Sequence, residues 1–485
     1  MTVAFQKRKR WSNHTGNQAV EPLRIYRPAT LLELREIVRT AEADGVTVRA
    51  VGSGHSWSDV ALTTGYLVRT DRLAAPLQLE RVRRGWEGGR LMRVEAGMRL
   101  RELNRELDAH GLALSQMGGY DAQTVAGVIS TSTHGSGIEL GPIADFVQSL
   151  DLVAAGGRVH RVERSDGPTN PVTFARTHLD WELHQDDHVF NAVAVNMGCM
   201  GIIYAATLAV EDAYWLTEVR ELTTWSQVRG RIEAGIRGNR HYELYLNLYP
   251  GAGGEHRVVV CRRNRTADPG RRRATDRLRR HWWIELASSS KVIPFLGNLV
   301  LDLLPDRAPA RTDRLLGSLA DDEYSGPSYK VLNIGAANLL PAYSSELAVP
   351  LEADAHLRAV DRLIEVAARH RELGSQYHTG LVALRFVRAS PAYMSMMHGR
   401  DTMMIELIQA NDTEGGYELL GTYEDALYDL GARPHWGQVN TLTGSHDTLG
   451  RMYPAYDRWL EVHDRFNAGG VFNSPFAKRV GICRK

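Results

Sequence analysis

Cysteine is scarce in this 485-residue chain: Cys199, Cys261 and Cys483 stand far apart and form no CxxC pair. That leaves no cysteine-built zinc framework and no disulfide scaffold, and a reducing compartment, the cytoplasm, is the simpler expectation. Excess charge is missing too. The formal net charge is +1, whereas a dedicated nucleic-acid binder carries a marked basic surplus. No apolar run reaches the ~20 residues needed to span a bilayer. The longest, VIPFLGNLVLDLLP (292–305), is interrupted by Pro294, Gly297, Asn298 and Asp302 and reads as an amphipathic helix on a core. The first residues, MTVAFQKRKRWSNH, are basic with no apolar segment behind them, so no secretory signal is expected. GxxxxGK[ST], HExxH and GxSxG are all absent, and no histidine cluster has ligand spacing. A Walker-type site, a metal centre and a nucleophile elbow therefore have no support.

What is present is the composition of a soluble globular protein, 43% hydrophobic and 24% charged. The length predicts two domains or three. ATLLELREIVRTAEADG (29–45) predicts a helix with Thr30 and Glu33 spaced as a capping box and Gly45 as its stop. VTVRAVG then alternates as a strand does. RLMRVEAGMRLRELNRELDAHGLALSQMGG (90–119) repeats the idea, a strand leading through Gly97 into a helix that ends before Gly111. FVQSLDLVAAGGRVHRV (146–162) predicts a hairpin turning at Gly156 and Gly157. From about Tyr214 the texture changes. RRRATDRLRRHWW (271–283) is basic but diluted by nearby acids, and reads as a solvated helix face. Further on, 346–370 predicts a strand and an amphipathic helix, 381–389 and 401–410 two alternating strands, and 415–432 a second helix. That order suggests an antiparallel sheet with helices on one face.

His55 sits in GSGHSW, directly after a strand. The stretch is not GxGxxG, because Trp57 stands where the third glycine would pack helix on strand. On those residues alone a structural histidine is the better reading. Two further small-residue segments shift the balance: GGYDAQTVAGVISTSTHGSG (118–137) and NMGCMGIIYAATLAV (196–210). Three turns of this kind let backbone approach a long, phosphate-bearing ligand.

Taken in order, a set of fragments carries a resemblance. They are WSNHTGNQAVEP (11–22), VRAVGSGHSWSDVALTTGYLV (48–68), VEAGMRLRELNRELDAHGLAL (94–114), VAGVISTSTHGSG (125–137), MGCMGIIYAATL (197–208), ELAVPLE (346–352), RPHWGQ (433–438) and RFNAGGVFNS (465–474). With these the chain resembles the covalent flavoprotein oxidases of the vanillyl-alcohol-oxidase superfamily, and within it the aldonolactone oxidase and alditol oxidase family. The resemblance implies an α+β, two-domain flavoprotein. A PCMH-type FAD-binding domain would span 1–212 and a substrate (cap) domain, an antiparallel sheet flanked by helices, 213–430. A segment at 431–485 would return to the FAD domain. It implies FAD held by a single covalent link from His55 to the flavin C8 methyl group, since 118–137 lacks the cysteine of doubly linked relatives. Gly52, Ser53, Gly54, His55 and Ser56 would cradle the pyrophosphate. Gly118 and Gly119 open the second segment, whose Gly127, Thr131, Thr133, His134, Gly135 and Ser136 would lie along the ribityl chain and ring. Gly201 and Ile202 would meet the adenine end.

On the substrate side the chain departs from that pattern. The family's Glu-x-Arg pair reads Ala383-Leu384-Arg385, and the lysine after His-Trp-Gly is Gln438. Glu406, on the neighbouring strand, is a candidate replacement, because cross-strand neighbours lie about 5 Å apart. A plain ion pair between strands explains Glu406 and Arg385 nearly as well. His435, a candidate site residue, and Trp436 have the plainer reading of capping a loop near the flavin. The expected chemistry is hydride transfer from a carbinol carbon of a polyol, sugar lactone or sugar-like alcohol to flavin. Oxygen is the acceptor, Arg385 the cation beside the ring and Glu406 the base, with a bound water as the alternative. Two alternatives stay open: a specialised-metabolite substrate, and a binding protein using KRKRW and RRRATDRLRR to grip an anionic surface. The oligomeric state is not legible.

Overall fold

The computed structural model describes residues 3–80, 82–251, 253–267, 305–320, 323–334, 342–374, 376–411 and 413–483. The basic stretch at 271–283 and the apolar run at 292–305, but for its last residue, lie outside them.

Helix α1 (Leu31–Ala43) forms where Leu34, Ile37, Val38 and Ala41 recur at helical spacing, and all four are buried. Thr30 caps it, accepting from the Glu33 amide at 3.2 Å, while Glu33 reaches back to the Ala29 amide at 2.7 Å. Helix α2 (Leu100–Ala109) buries Leu100, Leu103 and Leu107 in the same way, and α3 (Val125–Ser130) is capped by Thr124. Each fully buried aliphatic side chain of this kind contributes about 1.5–3 kcal/mol.

Among the described residues the strands gather into three sheets and one hairpin. First come β1 (Phe5–Lys7), β2 (Trp11–Ser12), β3 (Ala19–Val20), β4 (Arg24–Tyr26), β5 (Val48–Val51) and β6 (Tyr66–Arg69). β2 and β3 pair with each other, and the rest form a sheet in the order β1-β4-β6-β5. Next are β7 (Pro76–Leu77), β8 (Arg90–Glu95), β9 (Leu112–Ala113), β10 (Val147–Val153), β11 (Val159–Glu163), β12 (Trp181–Gln185) and β13 (Ile202–Asp212). They run β12-β11-β10-β13-β8-β7, with β9 on β13. The β10–β11 hairpin turns at Gly156 and Gly157 as expected.

The later half holds β14 (Trp215–Thr224), β15 (His241–Pro250), β16 (His256–Thr266), β17 (Glu323–Pro327), β18 (Ala342–Pro350), β19 (Val382–Val387), β20 (Thr402–Ala410) and β21 (Arg433–Pro434). They form one antiparallel sheet in the order β17-β14-β16-β15-β19-β20-β18-β21. Period-two alternation divides its faces. Leu244, Leu347, Val382, Leu384, Phe386, Ile405 and Leu407 pack in one cluster with Leu363 and Leu420, from the helices Ala355–Leu373 and Gly416–Leu427. The residues between them, Glu243, Glu346, Arg385 and Glu406, belong to the opposite face. After β21 the chain packs back on the first half: Trp436, Trp459 and Phe466 share a cluster with Leu150, Phe190 and Val193.

Candidate active site

β5 delivers the chain into the turn Gly52–Ser56. Gly54 has φ +71°, a backbone region that favours glycine. A Cβ on Gly52 would come 2.1 Å from Thr124 Oγ1, so the turn is seated directly on the start of α3. The amides of Ser53, Gly54, His55 and Ser56 donate to no protein acceptor among the described residues. The buried Ser53 hydroxyl likewise has no partner. A buried hydroxyl without a partner beside a run of half-buried amides without acceptors suits an anionic ligand, and a pyrophosphate fits them.

The His55 ring lies between His14 and Tyr120, each with its centroid 4.6 Å away. Burial, then repulsion from His14, Arg99 and Arg101, lowers its pKa to about 4. At neutral pH it is an uncharged imidazole, and so a nucleophile.

The second glycine segment joins the two halves. Thr131 donates to the Gly127 carbonyl at 2.9 Å and lies 3.3 Å from Thr133. Ser136 donates to the Tyr242 carbonyl, and the Gly137 amide to that of Phe386 at 2.6 Å. Gly118 packs against His134 and Thr133, and Gly135 against Gln116 and Met117. Gly119 lies beside Ile334. Gly201 leads into β13, where buried Ile202 pairs with Val153. The first turn reaches across as well: the Trp57 amide donates to the Gly437 carbonyl at 2.8 Å and Ser58 to that of Trp436 at 2.6 Å.

On the face of the large sheet opposite Leu363 and Leu420, part of which the helix Ala308–Leu319 covers through Leu316 on Tyr245, Cys261 and Ala383, register lines up charges across six strands. Glu218 is opposite Arg263, Glu243 opposite Arg385, Ala383 opposite Glu406, and Glu406 opposite Glu346. Arg385 binds Glu243 at 2.7 Å and Glu406 at 2.6 Å, and approaches Glu346 at 3.4 Å. Arg263 bonds Glu218 at 2.6 Å and Glu243 at 3.0 Å. The expected Arg385–Glu406 pair therefore forms, on the strand facing the missing glutamate at 383. Arg385 is not a free cation, however, since three carboxylates surround its guanidinium.

Glu346 ties this stripe to the glycine segment. Its Oε1 lies 3.4 Å from His134 Nε2. Burial alone would raise its pKa, but His134, His435 and Arg385 hold it well below the usual carboxylate range. His134 Nδ1 lies 2.8 Å from the Gly135 carbonyl and so must donate there. His435 is buried, its pKa pushed down to about 4 mainly by burial. Its Nδ1 accepts from the Gly437 amide at 3.0 Å. Ser344 Oγ lies 3.0 Å from Glu406 Oε1 and 2.8 Å from the Gln438 side chain. One hydroxyl proton cannot serve two acceptors, so the Gln438 amide turns its NH2 to Ser344, which donates to Glu406.

Sequence reasoning missed Glu346 and Glu243. Each is a single charge inside an otherwise uncharged buried strand, AYSSELAVP and HYELYLNLYP, and that isolation was the available signal.

A family model described as an FAD binding domain matches residues 22–163, and one described as D-arabinono-1,4-lactone oxidase matches 206–480, more than half of the chain. The chain belongs to the D-arabinono-1,4-lactone oxidase family. Relatives similar to it over nearly their whole length include the L-gulono-1,4-lactone dehydrogenase of Mycobacterium tuberculosis, 27% identical over 97% of this chain and 98% of the relative. The L-gulonolactone oxidase of Mus musculus is 24% identical over 99% and 98%. The alditol oxidase of a Streptomyces species is 26% identical over 96% and 98%. Among solved structures, cholesterol oxidase from B. sterolicum shares the fold, with a TM-score of 0.75 over 99% of this chain and 97% of that one at 13% identity. This family member is thus a two-domain α+β flavoprotein, an FAD-dependent oxidoreductase acting on CH–OH groups. Among its described residues no helix is long and apolar enough to cross a membrane.

Proposed function

We propose that this chain is an oxidase that removes hydride from a carbinol carbon of a polyol or sugar lactone, with its FAD held covalently at His55. The FAD-binding part is assigned to 1–212, the substrate part to 213–430, and 431–485 closes back on the first. Bound FAD would take up the hydride and pass the electrons to molecular oxygen, giving hydrogen peroxide.

The chain's own residues divide the remaining work. The amides of 53–56 and the Ser53 hydroxyl would hold the pyrophosphate. Neutral His55 supplies the nucleophilic nitrogen for the link. Gly118, Gly119, Gly127, Thr131, Thr133, His134, Gly135 and Ser136 would border the ribityl chain and ring, and Gly201 and Ile202 the adenine end. Glu406 is the proton acceptor for the substrate hydroxyl. Of the carboxylates around Arg385 it is the most open, its side chain 14% exposed against 3% and 4% for Glu243 and Glu346. Arg385 fixes one oxygen of Glu406 and Ser344 the other. Gln438 backs Ser344, and His435 braces Glu346 from the C-terminal segment. The three cysteines are unpaired, which supports the cytoplasm as the place of work.

One juxtaposition carries this reading: the turn bearing neutral His55 and orphaned donors is docked on the same His-Trp-Gly loop that meets the carboxylate stripe. The test is anaerobic mixing of the purified protein with alditols and sugar γ-lactones, followed by the bleaching of flavin absorbance. Bleaching, reversed by air with release of peroxide, is expected for at least one compound. A flavin that none of them reduces would contradict the substrate class.

A further inference from the structure

We propose that His160, Glu182 and His184 form a transition-metal site, served by Zn2+ or a similar borderline cation, outside the carboxylate stripe. The sequence conceals it, because the residues come from two strands joined through the helix Pro171–Thr177. The parallel pairing of β11 and β12 sets His160 opposite Glu182. His184, two residues on, then shares that face.

The distances fit a metal better than a hydrogen-bond network. His160 Nδ1 is 3.0 Å from His184 Nε2, and Glu182 Oε2 is 3.4 Å from the first and 3.7 Å from the second. A tetrahedral centre with bonds of about 2.0–2.1 Å has ligand-to-ligand edges of about 3.3–3.4 Å, and the three separations scatter around that value. Hydrogen bonds account for the two nitrogens, which share one proton when both rings are neutral. They do not account for Glu182, which is beyond the usual N–H···O range of about 2.7–3.2 Å from either ring. Two imidazoles and a carboxylate suit zinc-like ions. Phe466 packs against both rings, at 4.7 and 5.5 Å between centroids, and limits their rotation.

Access is also suitable. The His160 side chain is 9% exposed, His184 18% and Glu182 54%, so a fourth position opens to water on the Glu182 side. Arg158 and Arg465 repel positive charge here and Asp186 attracts it, which tempers the affinity without blocking the site. The other histidine–carboxylate group, His134, Glu346 and His435, is less suitable: the Arg385 guanidinium already lies 3.4 Å from the Glu346 oxygen, where a dication would meet fixed positive charge. A metal on β12, the edge strand, would fasten it to β11 and so stabilise the folded state by mass action.

The test uses the intact flavoprotein after dialysis against a chelator. Calorimetric titration with ZnCl2 should show one equivalent bound at micromolar or tighter affinity, and Co2+ should give the visible bands of a four-coordinate centre. His184→Ala should weaken Zn2+ by roughly 100-fold or more. Glu182→Gln, a milder change at an exposed position, should weaken it too and should remove the zinc-induced rise in unfolding temperature with flavin content unchanged. No zinc binding by the wild-type protein, or one equivalent bound equally by the wild type and both variants, would overturn the assignment.

Discussion

Replacing Arg385 by methionine tests the charged stripe most severely. The guanidinium lies within 2.7 Å of two carboxylates and 3.4 Å of a third. Without it Glu243 keeps Arg263 and Glu346 keeps His134, but Glu406 is left with Ser344 alone. Removing one partner of a buried ionic group costs about 3–5 kcal/mol, mostly the penalty of the uncompensated charge left behind. The loss should be read from urea unfolding followed by circular dichroism and flavin fluorescence together. Adding Glu406→Gln should recover about 1–3 kcal/mol, a coupling expected of residues in direct contact. The pH dependence has a fixed sign. In the wild-type protein Glu243 and Glu346 have depressed pKa values, so their contribution is present above the unfolded value of about 4.3 and is lost as pH falls through the folded one. Without Arg385 the folded values rise, the variant takes up protons on folding near pH 5, and its deficit narrows there. A deficit below about 1 kcal/mol that is the same at pH 5 and 7 would show that the stripe is hydrated and the Coulombic reasoning wrong.

Glu406→Gln should lower kcat by about 10²–10⁴-fold, the usual range for a lost general base, with flavin content unchanged; steady-state peroxide release measures it. Gly52→Ala places a methyl group 2.1 Å from Thr124 Oγ1 and should cost about 1–3 kcal/mol by overpacking, partly restored by adding Thr124→Ala, as thermal unfolding would show. Because His55 has a pKa of about 4, covalent flavin attachment to the apoprotein should proceed at a constant rate from pH 8 down to about 5 and slow below that. A break near 6.5, the ordinary histidine value, would contradict the buried neutral ring. His241 and His435, with values of about 3 and 4, bind protons in the unfolded chain first. Stability should therefore fall as pH drops from about 6.5 towards 4, measurable as a declining urea midpoint.

The legible parts were those governed by local rules. Helix α1 begins just after its capping threonine and ends before Gly45, and β19 and β20 alternate as written, because caps and period-two patterns act over a few residues. The Arg385–Glu406 pair followed from the same alternation plus adjacency. What stayed hidden depended on register between strands distant in sequence. Glu243 and Glu346 reach Arg385 only because β15 and β18 flank the β19–β20 pair, and nothing local to either strand announces that order. The same holds for His160 and His184, brought together by a parallel pairing across a helix. Arg385 was expected as the cation beside the ring with Glu406 as its one partner. Its three carboxylates are a property of the assembled sheet, not of the Ala-Leu-Arg stretch.

Mass analysis of acid-precipitated protein tests most directly the proposed covalent link between His55 and the flavin. The precipitate should stay yellow, and its proteolytic fragment containing Gly52–Ser58 should be heavier by one FAD, an addition that His55→Ala abolishes. Free flavin in the supernatant with that fragment unmodified, or the addition found on a different residue, would contradict it.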